Sequence, residues 1–531
     1  MSTADTDTGR VTGPRRKKKT ARKRRYELHT WVGFHLALLM TLILATGTIA
    51  TVSNEIDWLV QHDMRVSPEG DKVSWGEMTE AVQAAIPDGR IARIEAMEGD
   101  HFAYRADVTD SFGQRIFVHV NPWTGEVTGT THPLTVQRFF RDLHRYLFMP
   151  NFIGLPLVCS MAFILAISLY TGLRTSRNWG TLMTRIRFNK GTRIAVGDAH
   201  KAAGLWGSWF FIVMIVTSLW YLAEFGAQAG GGQFQPERPA LSAERLADFG
   251  DVVPQRSADE IVTAAQAAYP DLKITEIQYP FSPDGTLAVL GRVGNPILRD
   301  RANGVFLDPV SLEPLRVQRS SEIGWVAWLN ETADPLHFGF FGGLPTKLVW
   351  FAFGVFMTGL SVSGVWLTWK RLKSSHVSKA QFATMPILVL SMAAGYFWYE
   401  RLQGPERPAA ELALEPRSAG AILAIPHLAQ GADGRFDGQI RLVITADGGA
   451  PNLKQARLSL ETDKGLLGDP IAASPRRPAQ TAALRLHVDP GRFAEAKRLV
   501  TSLELYSGRR LEFHWELAGA TQAALGNRPD R

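Results

Sequence analysis

Four histidines, His29, His144, His200 and His337, carry the chemistry this sequence suggests first. Each stands beside a long apolar run, and neutral imidazole is the commonest protein ligand for a metal. His29-x-x-x-Gly33 aligns without a gap to His200-x-x-x-Gly204, and the same register sets Thr46-Gly47 against Thr217-Ser218. Leu143-His144, followed by Gly154-Leu-Pro156, matches Leu336-His337, followed by Gly343-Leu-Pro345, with a four-residue change in length. His29 and His200 are expected to open helices one and three at one membrane edge, and His144 and His337 to open helices two and four at the other. Facing imidazoles from two helices at one depth are how a helical bundle holds a haem iron. Iron with both axial positions filled passes electrons and has no place for oxygen. The single cysteine, Cys159, excludes an intrachain disulfide framework, a multi-cysteine cluster and a Cys-x-x-Cys-His attachment, so any haem here is b-type.

His35 lies six residues after His29, so at about 100° per residue it points about 120° away on the same helix. Its repeat counterpart, Trp206, cannot ligate iron; His35 reads first as polar packing and second as the alternative to His29. Haem propionates at each edge need cations. Arg145 outside, with Lys201 and Arg174 inside, lies beside a proposed ligand or at a neighbouring helix end, where snorkelling and topology signals explain these residues equally well. Trp31, Trp206, Trp209, Trp366 and Trp369 can pack on a porphyrin, or simply form interfacial belts. The other histidines, His62, His101, His119, His132, His376, His427, His487 and His514, have no repeat-related partner and read as structural.

The elements that position these residues must be membrane helices. The 531 residues are 45% hydrophobic and 21% charged, a balance that looks soluble on average and conceals long apolar runs. Arg10 to Arg25 holds ten Lys/Arg and no acid. The apolar stretch Trp31 to Val52 follows, long enough for a bilayer of about 30 Å, so the basic run reads as a positive-inside anchor and not as a nucleic-acid arm. It lacks the short core and small-x-small site of a signal peptide, so an uncleaved first helix with a cytoplasmic N-terminus is expected. Five membrane helices are predicted, at 29–53, 144–173, 200–223, 337–369 and 382–399, after a basic tail over 1–28. Arg174 to Lys201 has seven Lys/Arg and one acid, which makes 174–199 a cytoplasmic loop, as is 370–381. Residues 54–143 and 224–336 then form two outer domains, and 400–531 a third that ends outside.

The first two outer domains read as copies. Ala81-Val-Gln-Ala-Ala-Ile-Pro-Asp88 matches Ala264-Ala-Gln-Ala-Ala-Tyr-Pro-Asp271, each an amphipathic helix ending at a Pro-Asp turn. Ile116 to Glu126 matches Val305 to Glu313, a strand running into a turn. After a Pro-rich linker from Gly404, Ile440/Leu442/Ile444, Ala456/Leu458/Leu460, Leu484/Leu486/Val488 and Leu511/Phe513/Trp515 alternate as half-buried strands do, which predicts a small β-sandwich. The expected fold class is an α-helical integral membrane bundle of five spans, four of them from a duplicated helix–domain–helix unit, with α+β outer domains and a C-terminal all-β domain.

The Leu-His-Thr-Trp-Val-Gly opening, Asn121-Pro-Trp-Thr-Gly-Glu126, Asp198-Ala-His200 with Gly204-Leu-Trp206, and Leu336-His337 before a Gly-Leu-Pro helix together resemble the PepSY-associated transmembrane-helix family over roughly residues 25 to 373. That family includes bacterial inner-membrane haem proteins of siderophore-iron reduction. The resemblance implies a reductase with two b haems, passing electrons from the cytoplasmic side to a periplasmic ferric siderophore or similar oxidised acceptor; the sequence leaves open whether a quinol or a cytoplasmic flavoprotein donates them. The fused flavin and nicotinamide module of some relatives is missing here, and the fifth helix with the residues after it lies beyond the family pattern. The other class left open is a membrane-anchored binding or protease-regulating module in which the histidines are incidental.

Overall fold

The computed structural model describes residues 21–371 apart from 88, 110–113, 177 and 283, then residue 393 and most of 410–517. The expected fifth helix at 382–399 therefore lies, but for residue 393, outside the described residues.

Helix α1 (Ala21–His35) is separated by Leu36 alone from α2 (Ala37–Thr51). At the end of α2 the hydroxyls of Thr51 and Ser53 donate to the carbonyls of Thr48 and Ala50, at 2.7 and 2.8 Å. Side chains that compete for helix carbonyls in this way bend helices, and α3 (Ser53–Val60) departs at 60°. There follow α4 (Trp75–Ala85), β1 (Arg90–Glu95), β2 (Tyr104–Thr109), β3 (Arg115–Val120), β4 (Val127–Thr131), α5 (Val136–Tyr146) and α6 (Asn151–Thr175). The short α7 (Trp179–Thr184) leads to α8 (Thr192–Trp206), which Gly207 separates from α9 (Ser208–Ala229). The breaks at Leu36 and Gly207 each fall seven residues after a candidate ligand, His29 and His200. After α10 (Ala243–Asp248) and β5 (Val252–Pro254) come α11 (Ala258–Ala268), β6 (Lys273–Gln278), β7 (Leu287–Arg292), β8 (Asn303–Leu307), β9 (Pro314–Gln318), α12 (Trp325–Phe338) and α13 (Gly343–Arg371).

Among the described residues, α6, α9 and α13 are long and apolar enough to cross a membrane, and the bent pair α2 and α3 makes a fourth span if taken as one. Phe163, Ile212 and Phe356 on these helices are 52%, 53% and 56% exposed, an apolar surface that suits lipid and not water. The helix α9 runs to Ala229, past the expected end at 223, because nothing breaks it before Gly230, Gly231 and Gly232.

The elements divide between two compact units, one of Met1–Ala45, Cys159–Leu219 and Ala352–Ile387, the other of Thr46–Val158, Trp220–Phe351 and Leu388–Arg531. In the second unit, one antiparallel sheet runs β4-β3-β2-β1-β6-β7-β8-β9. It is two four-stranded meanders joined where β1 pairs with β6, Ile94 opposite Ile277. The two-residue alternation of strands puts Ile94, Ala106, Val118, Ile277, Val289 and Val305 in one core with the apolar faces of α4 and α11. Both helices start with a capping box, Ser74 with Glu77 and Ser257 with Glu260. At equivalent turns, Gly125 and Leu312 take positive φ of 77° and 60°.

Across these strands Arg93 pairs with Glu276, Arg105 with Glu95 and Arg115 with Asp107. His119, 1% exposed, shares a 2.8 Å hydrogen bond with the Thr131 hydroxyl, and its Nδ1 has no partner among the described residues. Burial, with the nearby Arg105 guanidinium adding to it, holds its imidazole down to about 4. The folded chain therefore binds fewer protons at this site than the unfolded one, so stability is intact above about 6.5 and falls as pH drops toward about 4. The full loss is about 3 kcal/mol. Thermal melting of the purified protein from pH 7 to 4 is expected to show that decline, and His119→Leu to flatten it; an equal slope in the variant would place the acid sensitivity elsewhere.

In the C-terminal segment the alternating residues lie on strands Phe436–Ile444, Leu453–Thr462, Thr481–Val488 and Arg510–Glu516. These belong to two five-stranded sheets. Ile422, Ile440 and Leu442 of one sheet share a core with Leu458, Leu503, Phe513 and Trp515 of the other. The strand Gly449–Pro451 pairs with β5, and the buried Asn452 donates its side-chain amide to the carbonyls of Leu246 and Gly250, fastening the β-domain to the loop before β5.

Candidate functional site

The first unit brings His29 of α1 and His200 of α8 together, with ring centres 6.3 Å apart and planes at 77°. Each ring is anchored through Nδ1. In His29 that nitrogen faces the Ser168 carbonyl at 3.0 Å and the Thr171 hydroxyl at 3.1 Å, both on α6. A carbonyl only accepts, so Nδ1 carries the proton and Nε2 keeps its lone pair for a metal. In His200 it meets the Ser363 hydroxyl at 2.9 Å, which itself donates to the Leu360 carbonyl at 3.0 Å, both on α13. The two supports share one spacing: Ser168, Thr171 and Gly172 on α6 correspond to Leu360, Ser363 and Gly364 on α13. A Cβ on Gly172 would lie 3.4 Å from Cε1 of His29, and one on Gly364 3.3 Å from Cε1 of His200, so each glycine is the floor under a ring.

A cavity of about 1020 Å³ opens around this pair, at the upper end of the range for small-molecule and cofactor sites. Besides both histidines it is lined by Met40, Leu165, Leu205, Met357 and Leu360, with Arg22, Lys23, Arg187, Arg193 and Lys201 as its cations. Asp198 is the acid among them, and Arg187 holds it with two bonds of 2.8 and 2.9 Å, which keeps its carboxyl down to about 2.

The second unit brings His144 and His337 together, ring centres 6.2 Å apart and planes at 41°. Neither opens a long helix, contrary to the sequence expectation: His144 is in the last turn of α5 and His337 in the last turn of α12. The physical reason is a sharp reversal after each. Leu147 and Phe148 take φ of 55° and 54°, and Gly339 takes 75°, which ends both helices before the spans begin. Gly154 permits the first reversal, since a Cβ there would meet the Tyr146 carbonyl at 2.2 Å. The buried Asp57 sets α5 in place by accepting from the backbone of Val136 and Gln137 at 2.7 and 2.9 Å. His144 packs on α2, where a Cβ on Gly47 would lie 2.6 Å from its Cε1.

Of the candidate cations, Lys201 lines the cavity of the first unit, whereas Arg174 is exposed and does not. Arg145 is exposed beside His144, its guanidinium 5.0 Å over the Tyr146 ring. Sequence reasoning missed Arg22, Lys23, Arg187 and Arg193 in the cavity, and Arg141, one turn before Arg145 on α5. Among the described residues Arg141 has no hydrogen bond or ion pair, although Asp334 acts on it electrostatically. The four-residue spacing of Arg141 and Arg145 was the available signal. None of the five tryptophans singled out lines the cavity; Trp206 donates to the Met183 carbonyl at 3.1 Å and Trp209 packs on Phe353. The side chain of His35 lies outside the described residues.

Two imidazoles bound to one iron from opposite sides put their ring centres about 6 Å apart, because a metal–nitrogen bond is about 2 Å and a ring centre lies about 1 Å behind its nitrogen. Both pairs have that separation, and in the first unit the Nδ1 anchors leave Nε2 available beside a cavity. The residues present therefore fit a haem. No curated protein matches the chain. The sequence profile of the PepSY-associated TM region matches residues 26–371, well over half the chain, and covers all four histidines. The chain is thus a membrane protein and belongs to the PepSY-associated transmembrane family.

Proposed function

We propose that this protein is an inner-membrane reductase with two b haems, one between His29 and His200 and the other between His144 and His337, delivering electrons to a periplasmic ferric siderophore or similar acceptor. The observation that carries the reading is the pair of ring-centre separations, 6.3 and 6.2 Å, each of the size one shared iron requires. The haems would supply one-electron chemistry; the chain supplies the rest. Ser168, Thr171 and Ser363 orient the ligands of the first pair, and Lys201, Arg22 and Arg193 stand ready to neutralise propionates there. Arg141 and Arg145 have the same role beside His144.

The duplication supports the topology. Sequence elements α4, β1 to β4 and α5 recur in order as α11, β6 to β9 and α12, and the helix breaks recur with the histidines. With the basic segments inside, His29 and His200 belong near the cytoplasmic edge, where a quinol or a flavoprotein gives up electrons, and His144 and His337 near the periplasmic edge. Each electron turns the substrate Fe(III) into Fe(II), which the hard oxygen donors of a siderophore hold less tightly.

The test is to reduce the purified protein, add ferric siderophores of different chemistry, and follow haem reoxidation together with Fe(II) capture by a chelator. Reoxidation with capture is expected. Reduced haems untouched by every ferric siderophore, yet reoxidised by another periplasmic oxidant, would remove the iron assignment and leave the electron-transfer core. A colourless, folded preparation would favour the binding or protease-regulating module instead.

A further inference from the structure

Tyr221 of α9 stands edge-on to His337, ring centres 5.3 Å apart and planes at 70°. Its hydroxyl donates to Asp334 at 2.6 Å, one turn before His337 on α12. The other oxygen of Asp334 accepts from Arg299 at 2.6 Å. Arg299 is fixed in turn, giving one bond of 2.9 Å to Glu331 and one of 2.7 Å to the carbonyl of Asn330. Asn330 and Glu331 are 0% and 2% exposed, so the chain of contacts is anchored in the protein interior. A tyrosine ring held only by packing turns about its bonds; one pinned at its hydroxyl by a charge-assisted bond is a stationary wall.

We propose that Tyr221, pinned by Asp334, is a positioning residue that fixes the plane of the His337 imidazole toward its metal. The inference rests on the proposed haem ligation. The first half carries other residues at these two positions: by the spacing of the histidines, Ala50 stands where Tyr221 would, and Arg141 where Asp334 would. The ring planes of the two pairs also differ, 41° for His144 and His337 against 77° for His29 and His200. An axial imidazole donates π density to the iron d orbital perpendicular to its plane. Two nearly perpendicular planes raise two d orbitals almost equally, whereas two planes closer to parallel split them. The two ferric centres should therefore give separate low-spin electron paramagnetic resonance signals, the more rhombic one from His144 and His337.

The test uses the full-length protein with its haems, comparing wild type, Tyr221→Phe and Asp334→Asn by haem content and by low-temperature paramagnetic resonance, with His29→Ala assigning the signals. Tyr221→Phe keeps the ring and loses the pin. It is expected to retain both haems and to shift or broaden only the more rhombic signal; Asp334→Asn, which weakens the hold of Arg299, should move the same signal in the same sense. Both signals unchanged in Tyr221→Phe, with two haems present, would overturn the positioning role. A wild-type protein without haem would overturn the ligation reading, and this inference with it.

Discussion

A chain carrying His337→Ala is expected to hold one haem instead of two and to keep the spectrum of the His29 and His200 centre. A b haem has no covalent tether, so axial bonds, packing and propionate contacts are all that retain it, and each loss of about 1.4 kcal/mol in binding lowers its affinity about tenfold. The substitution also deprives His144 of the imidazole that stands 6.2 Å from it, ring centre to ring centre. Pyridine haemochrome analysis of the purified variant measures the stoichiometry directly. His29→Ala should remove the other haem, because its ring is the one anchored on Ser168 and Thr171 toward His200. His35→Ala should leave both. If His35→Ala loses a haem and His29→Ala loses none, the ligand on α1 is His35.

The histidine pairs were legible in the sequence because each of the four residues recurs at a fixed offset beside an apolar run, and a recurring offset survives whatever the fold does between the copies. The strands were legible too, since alternation reports which side of a sheet a residue faces. Hydropathy could not show the breaks at Leu36 and Gly207, where a single residue interrupts a run that stays apolar. Nor could it show that His144 and His337 end short helices of their own: the reversal after α5 uses Leu147 and Phe148 in a left-handed conformation that their side chains do not advertise. The joining of two meanders through β1 and β6 is a non-local pairing between strands more than a hundred residues apart, and either meander reads the same alone. Arg141 was hidden for a related reason, since charge spacing says nothing about whether an acid lies close enough to pair. Gly47, Gly172 and Gly364 were unreadable as site residues because what makes them matter is a ring on another helix.

Gly47 offers the sharpest contrast between local helix physics and site architecture. Judged as a position in α2, Gly47→Ala should help, since alanine stabilises a helix interior by about 0.5–1 kcal/mol relative to glycine. Judged by its neighbour, it should harm: the new methyl would lie 2.6 Å from Cε1 of His144 and 2.8 Å from Nδ1, closer than such atoms approach, and an imidazole has no flexible end to swing aside. The expected result is that Gly47→Ala weakens or distorts the haem of His144 and His337, and that Gly47→Leu removes it, with the other haem spared. Gly364→Ala should be milder, its Cβ being 3.3 Å from His200, and Gly359→Ala on the same helix, with nothing within 4 Å, should change neither haem. Haem content and melting temperature across the four variants separate the two effects. A Gly47→Ala protein that melts higher and keeps both haems with unaltered spectra would mean that His144 does not hold the place on α2 that this pairing requires.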